Sequence, residues 1–409
     1  MSARPVWAEI SLPRLLRNYQ RLCQAVPPEA GLLPIVKANA YGHGLVLCGP
    51  ALAANGAQWL GVTCAEEGMA LRAACKAQGV APGQPSTPRI LLMSGLWAGQ
   101  AESVLEHHLT PVVWEPGHLD LLEAAAARRG MPPQSLPVHL EIDTGMSRQG
   151  IRVAGGVGAA ELDLLLARFH PRSCLRLEGV MTHFSAPETF LSTKENSQIA
   201  SFTAAVDQIR AAGLSPALLH AGNSSTILAG PDAAKLAALA AQAKAKLLLR
   251  PGLALYGYLD RLSRDGDSYS PPGEQSYEPV LAWKTRITSL RNLRRGETAG
   301  YGNTFIAQRP TRLALLPAGY ADGVNRLLSS RGHVLIRGEC APIAGRISMD
   351  QTIVDVTDVP EAAIGDEAVL LGRQGNRSIT AWDLADLAGA IPWEVLCAIS
   401  SRVPRIAAS

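Results

Sequence analysis

The first 255 or so residues alternate short apolar runs with helical patterns, and that alternation leaves few folds open. The runs are Pro34–Lys37, Trp59–Thr63, Ile90–Met93, Pro111–Trp114, Val138–Ile142, Leu175–Thr182, Leu218–Ala221 and Leu247–Arg250. They recur roughly every 20–40 residues, the spacing of βα units. Between them, Leu12, Leu15, Leu16, Tyr19, Leu22 and Cys23 follow the i, i+3, i+4, i+7 rule. Leu162, Leu165, Leu166 and Phe169 do the same, as do Ile199, Phe202, Val206 and Ile209. Eight such units in about 220 residues predict an α/β fold closed as a (β/α)8 TIM-type barrel. A doubly wound open sheet is the alternative, because periodicity does not report closure.

The pattern changes after Tyr256. Asp260 to Tyr277 is polar and carries Asp265-Gly266-Asp267 and Pro271-Pro272-Gly273, which reads as a linker or long loop. Strand-like runs then dominate, at Val280–Ile287, Leu313–Pro317, His333–Ile336, Thr352–Val356 and Ala368–Leu371, with a helix near Ala381–Ala388. The expected domains are residues 1–258, the barrel, and 259–409, a mainly β C-terminal domain.

Composition narrows the function classes. Hydrophobic residues are 47% of the chain and charged residues 18%, which excludes a disordered polymer. Lys plus Arg is 38 against 35 for Asp plus Glu, so nothing points to a nucleic acid or an acidic membrane surface as partner. Met1–Ile10 lacks a signal-peptide core, and no stretch approaches the ~18 apolar residues of a membrane span. Seven cysteines without a CxxC pair fit a reducing compartment, so a cytoplasmic location is expected.

The most informative segment is Val36-Lys37-Ala38-Asn39-Ala40-Tyr41-Gly42-His43-Gly44. A lysine that ends a barrel strand lies at the C-terminal mouth, where active sites sit. A buried amine with a lowered pKa suits Schiff-base formation with a carbonyl cofactor, although a lone lysine there is more often a surface residue. The loops after strands seven and eight commonly form a phosphate site. Here they hold Asn223-Ser224-Ser225 and Arg250-Pro251-Gly252-Leu253. Gly252 lets a phosphate approach backbone N–H groups, and the first triplet adds side-chain donors. The lysine and the cradle together imply pyridoxal 5'-phosphate (PLP).

These segments carry a resemblance. VKANAYGHG (36–44), HLEIDTGMSRQG (139–150), EGVMTHFS (178–185), HAGNSS (220–225), RPGLALYG (250–257), GYGNTF (300–305), GYADG (319–323), GRISMDQ (345–351) and RVPR (402–405) together resemble alanine racemase, motif by motif and in order. The resemblance implies a PLP-dependent racemase interconverting L- and D-alanine, with D-alanine supplied to peptidoglycan. Lys37 would hold the cofactor and serve as the base on one face of the substrate Cα, and Tyr301 would be the base on the other. Two bases are needed because a single fixed one returns the proton to its own face. Lowering a phenol from about 10 to near 7 requires roughly 4 kcal/mol of differential interaction from nearby charge or hydrogen bonds.

The resemblance also assigns Arg250 to the pyridine nitrogen, which a guanidinium would leave unprotonated, so that transamination is suppressed. His183 would stack on the ring. Tyr41, Asn223, Ser224, Gly252 and Leu253 would hold the phosphate, Arg148 would contact the cofactor phenolic oxygen or the substrate carboxylate, and Met349 would line the substrate pocket. A head-to-tail homodimer is implied, in which Tyr301 and Met349 reach the barrel mouth of the other subunit.

Three positions depart from the family pattern. Glu141 stands where many relatives carry a lysine, in some of them carbamylated, and is expected to orient Arg148 directly. Ser401 replaces a tyrosine near the phosphate and substrate side chain, which favours larger or hydroxylated substrates. Ser348 replaces a cysteine with no chemical role. A broad-spectrum amino-acid racemase of the same fold is therefore the second reading. A PLP decarboxylase would need a cysteine or acid in place of GYGNTF, and a PLP carrier would need only the barrel. Other signals carry little: Gly155-Gly156-Val157-Gly158 lacks the rest of a dinucleotide fingerprint, His107-His108 has no second ligand pair, and Arg294-Arg295 reads as a solvated face.

Overall fold

A computed structural model describes residues 4–80, 87–153, 158–190, 193–264 and 266–408. Two compact units emerge, one of residues 16–38 and 48–277, the other of residues 4–15, 39–47 and 278–408.

The first unit is built on a parallel sheet with eight strands along its path: β1 (Gly31–Leu32), β2 (Trp59–Val62), β3 (Arg89–Leu92), β4 (Leu109–Val113), β5 (Leu136–Asp143), β6 (Leu175–Thr182), β7 (Leu218–His220) and β8 (Lys246–Leu249), with the short Ile151–Arg152 pairing β5 off that path. It closes through the segment after β1. On one side Leu33 N–H donates to Leu249 O at 2.8 Å and Ile35 N–H to Pro251 O at 2.9 Å; on the other, Val36 N–H donates to Gly61 O at 2.8 Å. Closure excludes the open sheet. The β2 and β4 strands are buried along their whole length, as expected where helices cover a parallel sheet. The interior is less ordinary. Barrel cores are dominated by branched aliphatics, yet His139, Glu141, Glu178, Thr182 and His220 are buried on these strands, with Arg250 just beyond β8.

The regular first strand is Gly31–Leu32, ahead of the expected run Pro34–Lys37, because Pro34 has no N–H to continue a ladder; within that run only Ile35 forms an isolated parallel bridge, to Gly61. A helical turn, Lys37–Tyr41, follows. Ala38, Asn39, Ala40 and Tyr41 have φ of 52°, 55°, 56° and 52°, so the turn is left-handed. L-residues disfavour that conformation by roughly 1–2 kcal/mol each. Asn39 tolerates it best, and its Oδ1 accepts from Leu45 N–H at 2.8 Å.

The expected linker is not featureless. Leu262–Arg264 and Asp267–Tyr269 pair antiparallel, with Thr189–Phe190 alongside, and Glu274–Ser276 forms a 3-10 turn. Asp265 of that segment and Gly155-Gly156-Val157 lie outside the described residues.

In the second unit the sheet order is Glu339–Pro342, His333–Ile336, Glu367–Gln374, Leu281–Arg286, Val6–Ser11, Arg405–Ala408. The strand Val6–Ser11, not anticipated and lying within the residues expected for the barrel domain, pairs antiparallel with Leu281–Arg286 and parallel with Arg405–Ala408. Buried Val6, Ala8 and Ile10 alternate with half-buried Trp7, Glu9 and Ser11, a pattern unlike that of the doubly covered barrel strands. A three-stranded sheet of Ser289–Leu293, Thr311–Leu316 and Thr352–Asp355 accompanies it. The helix Ala381–Ala388 forms where expected, capped by Thr380 and Asp383. No helix among the described residues is long and apolar enough to cross a membrane.

Candidate active site

At the C-terminal ends of the barrel strands, the backbone first fixes where charge can sit. Asp143 ends β5, and its Oδ1 accepts from Gly145, Met146 and Ser147 N–H at 2.9, 2.9 and 3.0 Å. This Asx-type nest turns the chain toward Arg148. Arg250 follows β8, and its N–H donates to Gly222 O at 3.1 Å.

Arg250 is 4% exposed. Its Nη2 donates to Thr182 O at 2.7 Å and lies 3.2 Å from His183 Nδ1, and its Nη1 lies 3.5 Å from His220 Nδ1. Its three polar partners are neutral acceptors. Burial draws the Arg250 pKa down to about 10, with Glu141 opposing and Arg148 adding to the fall. It therefore stays charged at neutral pH. His183 is pushed down to about 3, first by burial and then by Arg250, Arg148 and Lys37, so its imidazole is neutral among three cations.

Gly222 (φ 74°) turns β7 into the short helix Ser224–Ala229, whose N-cap is Asn223. The Asn223 Oδ1 is occupied by Ser225 N–H at 2.9 Å and Thr226 N–H at 3.3 Å, leaving its amide as the donor. Ser224 Oγ accepts from Gly252 N–H at 3.0 Å and Ala254 N–H at 3.2 Å. Both lone pairs are engaged, so the hydroxyl proton is what Ser224 has left to offer. Ser225 instead donates to Asp260, which removes it from the expected donor triplet. Leu253 opens the 3-10 turn Leu253–Tyr256, and the Tyr256 hydroxyl donates to Ile35 O at 3.0 Å.

Glu141 corrects an expectation. Its carboxylate forms no ion pair with Arg148 among the described residues; Oε2 accepts instead from Gln149 Nε2 at 2.6 Å, and the same nitrogen donates to Met93 O at 3.0 Å. A glutamate this deeply buried ends on the nearest amide rather than spanning to the arginine. Burial raises its pKa to about 7, against lowering by the Gln149 hydrogen bond and by Arg250 and Arg148.

The first unit thus carries Lys37, Arg148, His183, Asn223, Ser224, Arg250, Gly252 and Leu253 at the strand ends and their loops. Tyr41, Tyr301 and Met349 belong to the second unit. Tyr41 is buried, while Tyr301 is 70% and Met349 53% exposed. Tyr301 opens a 3-10 turn between Gly300 (φ 75°) and Gly302 (φ 71°). Ser401 is exposed. Gln149, His139, His220, Glu178 and Arg89 were not anticipated, although ionisable residues inside apolar strands were a signal for three of them.

A closed barrel whose mouth gathers a lysine, two arginines and a neutral histidine, in a chain with a β-rich C-terminal unit, defines a class of barrel enzyme. Residues 10–260 match the family model "Alanine racemase, N-terminal domain" and residues 280–407 "Alanine racemase, C-terminal domain". The alanine racemase of Halothermothrix orenii is 35% identical over 402 residues, covering 98% of this chain and 96% of that one. That of Symbiobacterium thermophilum is 36% identical over 407 residues, covering 98% and 97%. The solved alanine racemase of Streptomyces coelicolor A3(2) superposes with a TM-score of 0.85 at 33% identity, covering 99% of this chain and 98% of its own. That of Bartonella henselae, described with covalently bound pyridoxal phosphate, gives 0.78 at 26% identity and 99% coverage of each. The chain belongs to the alanine racemase family.

Proposed function

We propose that this enzyme interconverts L- and D-alanine with PLP held at the barrel mouth, and that Lys37 and Tyr301 move the proton on opposite faces of Cα. The observation that carries the reading is Arg250, a buried cation whose polar partners are all neutral acceptors. A pyridine nitrogen is one more neutral acceptor, and the group fits such a donor. It fits the phosphate side as well, where Ser224 retains a hydroxyl proton and Asn223 an amide.

PLP, when bound, supplies the electron-withdrawing ring that makes the amino-acid Cα–H acidic. The chain supplies the rest. Lys37 anchors the group and exchanges a proton at Cα through Nζ; Tyr301 does so through its phenol oxygen; Arg148 orients a carboxylate or phenolate oxygen. Arg250 remains protonated at neutral pH and keeps the ring nitrogen unprotonated. His183, neutral, would stack on the ring, and Tyr41 and Leu253 would add to phosphate binding, while the Gly252 N–H, given to Ser224 Oγ, positions that hydroxyl at the Gly252 loop. Met349 lines the substrate pocket. A cytoplasmic homodimer with sites shared between subunits, and D-alanine destined for peptidoglycan, complete the reading.

The test is D-alanine formation from L-alanine by the PLP-loaded protein, read with a D-amino-acid oxidase. Activity is expected, with Tyr301→Phe lowering kcat by about 10²–10⁴-fold and restricting solvent exchange of the α-hydrogen to one enantiomer. Equal loss of exchange from both enantiomers would refute the two-base assignment. Serine run in parallel addresses the broad-spectrum reading, which the small exposed Ser401 favours; serine turned over faster than alanine would select it.

A further inference from the structure

A polar column crosses the barrel interior, and its hydrogen bonds have a direction. Glu178, on β6, is held from one side by Arg89 Nη1 at 2.6 Å and Arg176 Nη2 at 3.2 Å, both on Oε1. Its other oxygen, Oε2, lies 3.3 Å from His139 Nε2. His139 Nδ1 lies 2.8 Å from His220 Nε2, and His220 Nδ1 lies 3.5 Å from Arg250 Nη1. Both imidazoles are 0% exposed. Arg89 also sits 4.3 Å over the Trp59 ring and donates to Thr110 Oγ1 at 2.8 Å.

An ionised carboxylate only accepts, and a neutral imidazole has one donor and one acceptor nitrogen. We propose that Glu178 sets the tautomers of both histidines, so that a lone pair of His220 faces Arg250; Glu178, His139 and His220 are positioning residues for that arginine. The chain can be followed from the carboxylate, and the guanidinium, which only donates, asks for the same order from its own end, at the longer 3.5 Å contact. Glu178 requires Nε2–H on His139, which leaves His139 Nδ1 as an acceptor. His220 must then donate from Nε2, and its Nδ1 is left to accept from the guanidinium.

The ionisation states agree. Burial would raise Glu178, but hydrogen bonds from His139 and Arg89 outweigh it and bring its carboxyl down to about 2. Burial lowers both His139 and His220, the latter helped by His139 and Arg250. With the column in place, Arg250 meets only acceptors on this side. The consequence for the pyridine nitrogen rests on the function proposed above; the tautomers do not.

Glu178→Gln is the discriminating change. Arg89 and Arg176 would keep the amide oxygen on their side, so the amide nitrogen would face His139 and donate. The His139 proton would then move to Nδ1, and that of His220 to its own Nδ1, setting donor against donor at Arg250. The experiment is nitrogen NMR of histidine-labelled full-length protein, with and without PLP, the two rings assigned by loss of signal in His139→Asn and His220→Asn. The wild type is expected to show the Nε2–H pattern in both rings, and E178Q the Nδ1–H pattern in both. An Nδ1–H or doubly protonated ring in the wild type, or an E178Q protein in which His220 keeps Nε2–H, would overturn the proposal. Neither measurement depends on racemase activity.

Discussion

The left-handed turn after Lys37 can be weighed directly. Ala38 has φ 52° and an exposed side chain, so replacing it by glycine removes no buried surface. An L-residue in this region costs roughly 1–2 kcal/mol, whereas glycine loses about 0.5–1 kcal/mol of additional backbone entropy on folding. Ala38→Gly is therefore expected to stabilise the protein by about 0.5–1 kcal/mol. For a unit of this size that is roughly 1–4 °C in Tm. Ala73 supplies the opposite sign. It is exposed within the right-handed helix Ala65–Ala77, where glycine costs about 1 kcal/mol. Thermal scans of wild type, A38G and A73G at one scan rate and one PLP concentration should move in opposite directions. A fall for A38G, or shifts of the same sign in both variants, would show that the folded chain does not hold Ala38 against its own steric preference.

Other expectations follow from the barrel interior. Between about 4.5 and about 7 the unfolded chain has released the Glu141 proton that the folded chain keeps, so stability falls as pH rises through that window and is level above it. The loss is roughly 3 kcal/mol; Glu141→Gln should flatten the slope in urea titrations at pH 5 and 8, and an unchanged slope would refute it. Arg250→Glu should raise transamination relative to racemisation, read as pyruvate formed per turnover, and an unchanged ratio would count against the role given to Arg250. A Cβ at Gly179 would lie 2.6 Å from His139 Nδ1, so Gly179→Ala should cost about 1–3 kcal/mol in urea unfolding; a neutral result would mean that the ring is free to move. Ser401→Tyr should lower the serine-to-alanine rate ratio, and no change would remove this position from specificity.

How much was legible depended on where the pairing information lay. The barrel strands after the first could be read because their apolar runs are largely buried and bounded by turns, so the signal is local; the first was expected at Pro34–Lys37 and lies at Gly31–Leu32. Val6–Ser11 could not, because the strand that flanks it in parallel, Arg405–Ala408, lies at the other end of the chain and no local pattern encodes such a pairing. The segment Lys37–Tyr41 illustrates a different limit. Its residues suit a helical turn, but composition does not report handedness; the positive φ of Ala38, Asn39, Ala40 and Tyr41 does, and the bonds from Leu45 N–H to Asn39 Oδ1 and from Gly44 N–H to Asn39 O, each 2.8 Å, hold the turn in place.

The site divides along the same line. Lys37, Arg250 and Ser224 could be found because each ends a strand or opens a loop at the mouth, a position that barrel geometry makes chemical. Gln149 could not, since an amide is chosen as partner only once Glu141 is known to be buried and to accept from Gln149 Nε2 rather than from Arg148. The histidines are the instructive case. Read singly, His139 and His220 are satisfied core residues, and that description remains true of both. What the sequence lacked was the order of contacts. A carboxylate beneath one ring and a guanidinium beyond the other turn two satisfied imidazoles into a column with a direction, because a neutral imidazole cannot donate at both nitrogens.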